Sequence, residues 1–473
     1  MSYQVAVGTP VDEGQTQRLT SGYLPRTAFQ HLEPTAVGVV DLDRSITPST
    51  PDGRDWDVGQ RDGLLLVRLH DEPIAIVHID SAPGVLTSDD LAAEIWRSAH
   101  TEIRRHVERF RCTPMPGDPD ALVSGLHFPT NTCSGGRATQ PGASVAVILC
   151  TLGQEERLRR CLPSLLAQRH VEFEVVVVDN QPDTGEAWRA VSAIASGNPR
   201  VHYVAEPRIG LSVARNRGVS ETNAEIVAFT DDDVVADPDW LEWLVAPFSE
   251  PGVTAACGMV LPLELETEAQ KRFEQYGGFS KGLERRTYDL FTGRSTRPLL
   301  YPFLGDLFGG GNSMAFQRRD LLAAGGFDPA LGAGSPTGGG EDIYALSTAI
   351  LRGGRLVYEP RSLCWHEHRR DGDGLRGQVF SYGVGLGAIM TKALTSDPRF
   401  YAAAARSMPF ALGSSWRRRV SAGRQPKDGD GVTTFRKELL QAHRRGIIRG
   451  PLRYTEGVVR ARRLGLDDVI RKR

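Results

Sequence analysis

Three aspartates in succession, Asp231-Asp232-Asp233, follow the apolar run Ile226–Phe229. Like charges crowded at a strand end cost free energy unless a cation or hydrogen bonds compensate. The carboxylates of Asp231 and Asp233 are hard oxygen ligands that suit Mg²⁺ or Mn²⁺; a solvated acidic loop is the competing reading. Farther on, Glu341-Asp342 stand at the start of a predicted helix running from about Ile343 to Leu351. Such a pair can supply a general base or only complement the helix dipole. His366 and His368, two apart after an apolar run, point the same way on a strand, as a metal site or as an ordinary polar edge. In Gly309-Gly310-Gly311-Asn312 the missing side chains permit close backbone approach to a ligand, and a plain turn is the alternative.

The elements that must position these residues follow from periodicity. Ser144–Cys150, Phe173–Val178, Val201–Val204 and Ile226–Phe229 read as strands. Glu156–Gln168, Glu186–Ala195 and Leu211–Ser220 read as the helices between them. Such alternation predicts a parallel sheet with helices on both faces, where ligands bind outside the carboxyl ends of the strands. Thr151 closes the first strand, Asp179 and Asn180 the second, and Asp231-Asp232-Asp233 the fourth, so three strand ends set polar groups on one rim. Then come a helix at Pro238–Phe248, a strand at Val253–Val260, an irregular stretch from 262 to 310, a mobile glycine-rich loop at Gly325–Gly340, and short strands at Leu356–Tyr358 and Ser362–Trp365. Trp240 and Trp243, three apart on a helix, read as core; Trp365 could be core or line a sugar site.

A length of 473 residues allows two to four domains. With 40% apolar and 24% charged residues the chain is globular in composition. Ahead of the alternating region, Val37–Leu42 reads as a strand, Leu64–Leu69 with Ile74–Ile79 as a hairpin, and the residues after Thr87 and Ser88 as a capped helix, with no motif that carries chemistry. The six cysteines lie far apart with no pairing pattern, which predicts a reducing compartment. No secretory signal is readable, and the uncharged stretch Gly377–Thr391 is too short and glycine-rich to cross a bilayer, which takes about 20 apolar residues.

Several blocks in their order resemble the family 2 glycosyltransferases: Val145–Gln168 (VAVILCTLGQEERLRRCLPSLLAQ), Phe173–Asn180 (FEVVVVDN), Gly210–Gly218 (GLSVARNRG), Ala228–Trp240 (AFTDDDVVADPDW), Phe308–Phe316 (FGGGNSMAF), Ala324–Asp328 (AGGFD), Gly338–Ile343 (GGGEDI) and Tyr358–His368 (YEPRSLCWHEH). The resemblance covers about residues 143–392. It implies an α/β architecture of the GT-A type, a doubly wound mixed sheet that binds a nucleotide sugar. The boundaries expected are a small α+β N-terminal domain at 1–113, a linker at 114–142, the transferase domain at 143–392 and a basic helical extension at 393–473. Position by position, the resemblance implies that Thr151 and Asp179 hold the base and ribose, and that Arg215 and Asn216 face the nucleotide. Asp231 and Asp233 match an Asp-x-Asp pair, one toward the ribose and one on a Mn²⁺ or Mg²⁺ that bridges the diphosphate; Asp232 is the variable middle position. Gly310 and Asn312 would border the sugar, His366 would complete the metal site, Asp342 would be the base of an inverting transfer, and Glu341 would support it or contact the acceptor. The chain departs from the common pattern at Cys150-Thr151-Leu152-Gly153 and at Glu206-Pro207-Arg208, both beside the expected nucleotide pocket, so base and sugar preference are not carried over.

Seventeen basic and six acidic residues fall between 411 and 473, leaving 39 basic against 52 acidic before them. Arg417-Arg418-Arg419, Arg444-Arg445, Arg460, Arg462-Arg463 and Arg471-Lys472-Arg473 alternate with apolar residues. This pattern suits an anionic membrane surface or a solvated helical appendage. The expected partners are a nucleoside-diphosphate sugar and a hydroxyl acceptor, with no nucleic acid. The expected place is the cytoplasm, with the inner membrane face as a docking surface. Two rival functions are a nucleotidyltransferase, which would release pyrophosphate, and a non-catalytic sugar-nucleotide or glycan-binding module.

Overall fold

A computed structural model describes residues 33–56, 61–80, 86–112, 115–126, 143–170, 172–291, 301–303, 307–396 and 430–466. The irregular lead-in, most of the linker at 114–142, and the clusters Arg417–Arg419 and Arg471–Arg473 lie outside the described residues.

The site-bearing sheet grows from four buried parallel strands, β4 (Val145–Thr151), β5 (Phe173–Asp179), β6 (Val201–Ala205) and β7 (Ile226–Asp231). Alternate residues feed two cores. Ile148, Cys150, Val176, Val178 and Phe229 join one. Val145, Val147, Leu149, Val175 and Val177 join the other, together with Leu158, Leu162 and Leu165 of the helix Glu155–Leu166, named α3 below. Both faces are therefore covered, which explains why these strands read as unbroken apolar runs. β11 (Met314–Gln317) adds antiparallel to β7, β9 (Val253–Pro262) antiparallel to β11, and β12 (Arg355–His366) parallel to β9. β10 (Arg286–Tyr288) and the short β8 (Val234–Ala236) pair antiparallel with β12. The result is a mixed nine-stranded sheet.

The expected strands Leu356–Tyr358 and Ser362–Trp365 are one strand, β12, whose register shifts between Glu359 and Leu363. Pro360 lies in the shift, where a residue without an N–H cannot serve the ladder. The stretch 262–310, expected to be irregular, contains the helix α7 (Glu268–Tyr276) as well as β10. A capping box opens it: Gln270 N–H donates to Thr267 Oγ1 (3.4 Å), and Thr267 N–H donates to Gln270 Oε1 (3.0 Å). Its buried face includes Gln270, Lys271 and Glu274, so apolar periodicity alone was silent. The glycine-rich segment before Glu341 is a chain of turns in which Ser335 and Thr337 hydroxyls bind the carbonyls of Ala330, Gly332 and Gly339.

The N-terminal elements are β1 (Thr35–Asp41), β2 (Asp62–Leu69), β3 (Glu72–Ile79) and α1 (Ser88–Arg109). β2 and β3 form the expected hairpin on the two-residue turn His70-Asp71, both at positive φ (54° and 61°), the geometry that matches strand twist. This small sheet is buried on both faces. Leu65 and Val67 meet Ile95, Ile103 and Val107 of α1, whereas Val37, Val39, Leu64 and Leu66 join the core of the large sheet. Arg68 ties the two together, donating to Asp41 (2.7 Å) and to Asp237 (2.6 Å).

Two long helices, α10 (Gly372–Ser396) and α11 (Asp430–Arg463), pack side by side in the same direction. Gly383 and Gly387 face Gly446 and Gly450, and a Cβ on Gly450 would lie 2.5 Å from Gly387 Cα. Only glycines allow this approach. The stretch Gly377–Thr391 lies within α10, and no helix among the described residues is long and apolar enough to cross a membrane.

Cys112 is disulfide-bonded, while Cys150, Cys161, Cys257 and Cys364 are free and buried. The expectation that no cysteine pairs is thereby corrected. Spacing along the chain does not reveal which Cβ atoms the fold brings within the roughly 3.5–4.5 Å a bridge needs.

Candidate active site

Strand register brings the predicted rim together. Thr151 lies opposite Asp179, and Cys150 opposite Asp231. The end of β12 then returns beside the aspartates: His366 pairs with Val234, and Glu367 N–H donates to the Asp233 carbonyl (2.9 Å). Asp231, Asp233, His366, Arg215, Gly310, Asn312, Glu341 and Asp342 all line one cavity of about 1010 Å³.

Asp231 keeps 31% of its side chain open on the floor of this cavity, and its Oδ1 accepts from Arg215 (3.1 Å). Asp233 Oδ1 is buried, accepts no hydrogen bond and lies 3.3 Å from His366 Nε2. Burial raises both carboxyl pKa values, and the neighbouring Asp233 charge raises that of Asp231 further. Asp232 turns away from this pair and accepts from the Thr151 hydroxyl (2.6 Å); burial pushes it up to about 6. Arg157 of α3 approaches Asp232 and Asp233 at 3.7 Å each. Behind His366, its Nδ1 lies 3.1 Å from His368 Nδ1, and His368 Nε2 donates to Glu274 Oε1 of α7 (2.6 Å). Among the described residues no three His, Cys, Asp or Glu side chains form a ready-made metal cage.

Asp342 stands in the first turn of α9 (Glu341–Leu351). Its Oδ1 accepts from Ile343 N–H (2.7 Å) and its Oδ2 from Gly311 N–H (2.8 Å). Two backbone donors hold the carboxylate, and the side chain stays partly open to the cavity. A Cβ on Gly311 would lie 2.6 Å from the Arg215 guanidinium, so the loop can close over that arginine only through glycine.

Three of the expected site residues are held by other protein groups. Arg215 lines the cavity from a buried position, donating to Glu341 (2.8 Å), Asp231 and the Gly311 carbonyl (3.2 Å). Glu341 is correspondingly a buried counter-ion to Arg215 on the same lining as Asp342. One of its oxygens pairs with Arg215 and the other has no hydrogen bond; burial, then Asp342, pushes its pKa up to about 7. Asn216, unlike Arg215 and Glu341, is not among the cavity-lining residues. Its amide donates to the Phe327 carbonyl (2.7 Å) and accepts from Phe327 N–H (2.9 Å), pinning the glycine-rich segment. Thr151 and Asp179 lie on the adjoining part of the rim. Asp179 is buried and accepts from the Tyr203 hydroxyl (2.7 Å) and Gln181 N–H (2.9 Å). The tryptophans are core: Trp240, Trp243 and Trp365 are all buried.

Sequence reasoning missed Tyr203, Arg157, Glu274, and the cavity wall formed by α7, α10 and α11, which includes Tyr276, Tyr382, Arg436 and His443. The capping box at Thr267–Gln270 could have found α7. No spacing signal links α11, about 100 residues beyond the Glu-Asp pair, to the site.

The family model described as glycosyl transferase family 2 matches residues 146–321. A glucosyl-dolichyl phosphate glucuronosyltransferase of Haloferax volcanii is 27% identical over 50% of this chain and 75% of its own length. A pre-mycofactocin glycosyltransferase of Mycobacterium tuberculosis is 26% identical over 48% of this chain, which spans only 43% of that protein. Among solved structures, a mannosyltransferase from Pyrobaculum calidifontis in complex with GDP-Man and Mn²⁺ overlaps with 18% identity and a TM-score of 0.40, covering 67% of this chain and 86% of that one. The motif blocks and the matched segment agree: residues 146–321, on the mixed sheet, match the glycosyl transferase family 2 model, and the similarity to named glycosyltransferases supports reading the chain as a glycosyltransferase.

Proposed function

We propose that this enzyme moves a sugar from a nucleoside-diphosphate sugar to an acceptor hydroxyl with inversion at the anomeric carbon, with Asp342 as general base. One observation carries the reading: a carboxylate held by two backbone N–H groups shares a cavity with the Asp231, Asp233 and His366 cluster. Asp342 takes the acceptor proton as the hydroxyl attacks, and its two hydrogen bonds hold it to one orientation for that transfer. Thr151 and Asp179 at the strand ends receive the nucleoside, and Gly310 with Asn312 leaves space beside Asp342 for the transferred sugar.

The residues fit a divalent cation. Asp233 presents a buried oxygen without a hydrogen bond toward His366 Nε2, and two protein ligands suffice where phosphate oxygens and waters supply the others. Asp233 and His366 would hold Mn²⁺ or Mg²⁺, with Asp231 beside them. When bound, the ion stabilises the charge on the departing nucleoside diphosphate as a Lewis acid.

Asp342→Asn should lower kcat by about 10²–10⁴-fold and leave donor affinity unchanged, read by single-turnover assay and by titration with donor. Normal turnover rules out Asp342 as the base, and pyrophosphate as the released product rules out glycosyl transfer.

The outer face of α11 supports contact with an anionic lipid surface. Ile448, Leu452 and Val459 are 79%, 64% and 42% exposed among the exposed Arg444, Arg445, Arg449 and Arg453. In flotation with phosphatidylglycerol vesicles the protein should rise at low salt and be released at high salt. Protein that stays at the bottom of the low-salt gradient removes the lipid contact.

A further inference from the structure

The cavity extends well beyond its carboxylate rim, and its outer wall is made by α7, α10 and α11. Tyr276, Tyr382, Arg436 and His443 line this wall. Every acid on the cavity is already engaged: Asp231 and Glu341 with Arg215, Asp233 with Arg157 and His366, Glu274 with His368, and Asp342 with two backbone donors. Two cations on the lining, Arg369 and Arg436, are exposed and form no ion pair among the described residues. The charge of Arg369 reaches Asp233, which places it beside the aspartate rim. Arg436 instead acts on Tyr276, on the wall contributed by the helices. On the facing helix, Arg376 has its carboxylates, Asp373 and Glu438; among the described residues Arg436 has none.

The position of Arg436 is built rather than incidental. The glycine crossing locks α11 onto α10. Below it, the Tyr454 hydroxyl donates to Asp328 (3.1 Å), and Arg460 donates to the carbonyls of Gly334 (2.7 Å) and Ile209 (2.9 Å). These bonds join α11 to the segment that leads into Glu341-Asp342. The helix that carries Arg436 is thus referenced to the carboxylate proposed as base.

A guanidinium without a carboxylate, on the wall of a partly enclosed cavity and beside a tyrosine, is a receptor for a phosphate oxyanion. Resting on the transferase reading of the same cavity, we infer that the wall of α7, α10 and α11 is the acceptor subsite and that it takes a hydroxyl compound bearing a phosphate group, recognised by Arg436. The phosphate can belong to a soluble ester or to a lipid headgroup.

The test uses the full chain with Mn²⁺. Binding of UDP and GDP is measured first; if neither binds, the transferase reading fails and this inference with it. With the nucleotide that binds present, the probes are glycerol 3-phosphate against glycerol, and phosphatidylglycerol vesicles against phosphatidylcholine vesicles. The wild type should prefer glycerol 3-phosphate over glycerol, or phosphatidylglycerol, whose phosphate charge is uncompensated and whose headgroup carries hydroxyls, over zwitterionic phosphatidylcholine. Arg436→Ala should weaken that binding about 10–100-fold, the equivalent of one charge-assisted hydrogen bond. Nucleotide affinity should stay unchanged, and Arg319→Ala, at an exposed arginine off both the cavity and α11, should behave as wild type. Preference for the free ester alone assigns a soluble acceptor, and preference for the vesicles alone a lipid one. Equal binding within both pairs, no binding of any probe, no loss in Arg436→Ala, or an equal loss in Arg319→Ala overturns the inference while leaving the donor site intact.

Discussion

Arg215 shows how little of this site depends on any one carboxylate acting alone. Its guanidinium bridges Asp231, Glu341 and the Gly311 carbonyl, so one buried cation joins the aspartate rim, the start of α9 and the glycine loop. Removing one partner of a buried ion pair leaves an uncompensated charge, at a cost of about 3–5 kcal/mol. Arg215→Met should therefore lose stability of that order in urea unfolding. Adding Glu341→Gln should restore part of it, because the second change removes one of the stranded acids. Equal stability of Arg215→Met and wild type would show that the bridge contributes nothing. At this scale the sequence showed which residue types gather, but not that Arg215, Asn216 and Glu341 are held by other protein groups. Hydrogen-bond partners more than 100 residues apart, such as Asn216 with Phe327 and Arg215 with Glu341, leave no mark in local spacing.

At the level of elements, the crossing of α10 and α11 decides whether the outer wall exists. Gly450 admits no Cβ without moving Gly387, and forcing a larger side chain into packed backbone costs about 1–3 kcal/mol. Gly450→Leu should lower the melting temperature and speed proteolysis within α11. Donor binding should persist, since the strand ends that carry it belong to another layer. If limited proteolysis and melting match wild type, the close crossing is not what holds the helix. The parallel strands and the helices between them were legible from apolar runs because both faces are buried. α7 was not, because its inward face is half polar and its signal lies in a cap.

Considered as a whole, the molecule is one continuous packing from the N-terminal sheet to the aspartate rim, through the core shared by β1, β2 and the large sheet and through the Arg68–Asp237 ion pair. A pH-sensitive group sits in that N-terminal part. Burial, then the charge of His70, holds the His106 imidazole down to about 4, against about 6.5 in an unfolded chain. Above about pH 6.5 both states are neutral and the group has no effect. As pH falls below that, the unfolded state binds the proton first, so stability declines until roughly pH 4. The melting temperature should drop between pH 7 and pH 5 by less in His106→Gln than in wild type; parallel pH profiles would show that the buried imidazole is not responsible.

The sequence by itself determined the alternation of strand and helix, the polar strand ends and the order of the motif blocks, because each of these is written in contiguous residues. It also placed Asp231, Asp233, Asp342 and His366 on a common site. Only the tertiary structure decided which of the remaining candidates face the cavity and which serve as struts, that Cys112 is bridged, and that α11 closes the wall. Those outcomes depend on which distant side chains meet in space, and burial then forces each polar group to find whatever partner the fold has placed within reach.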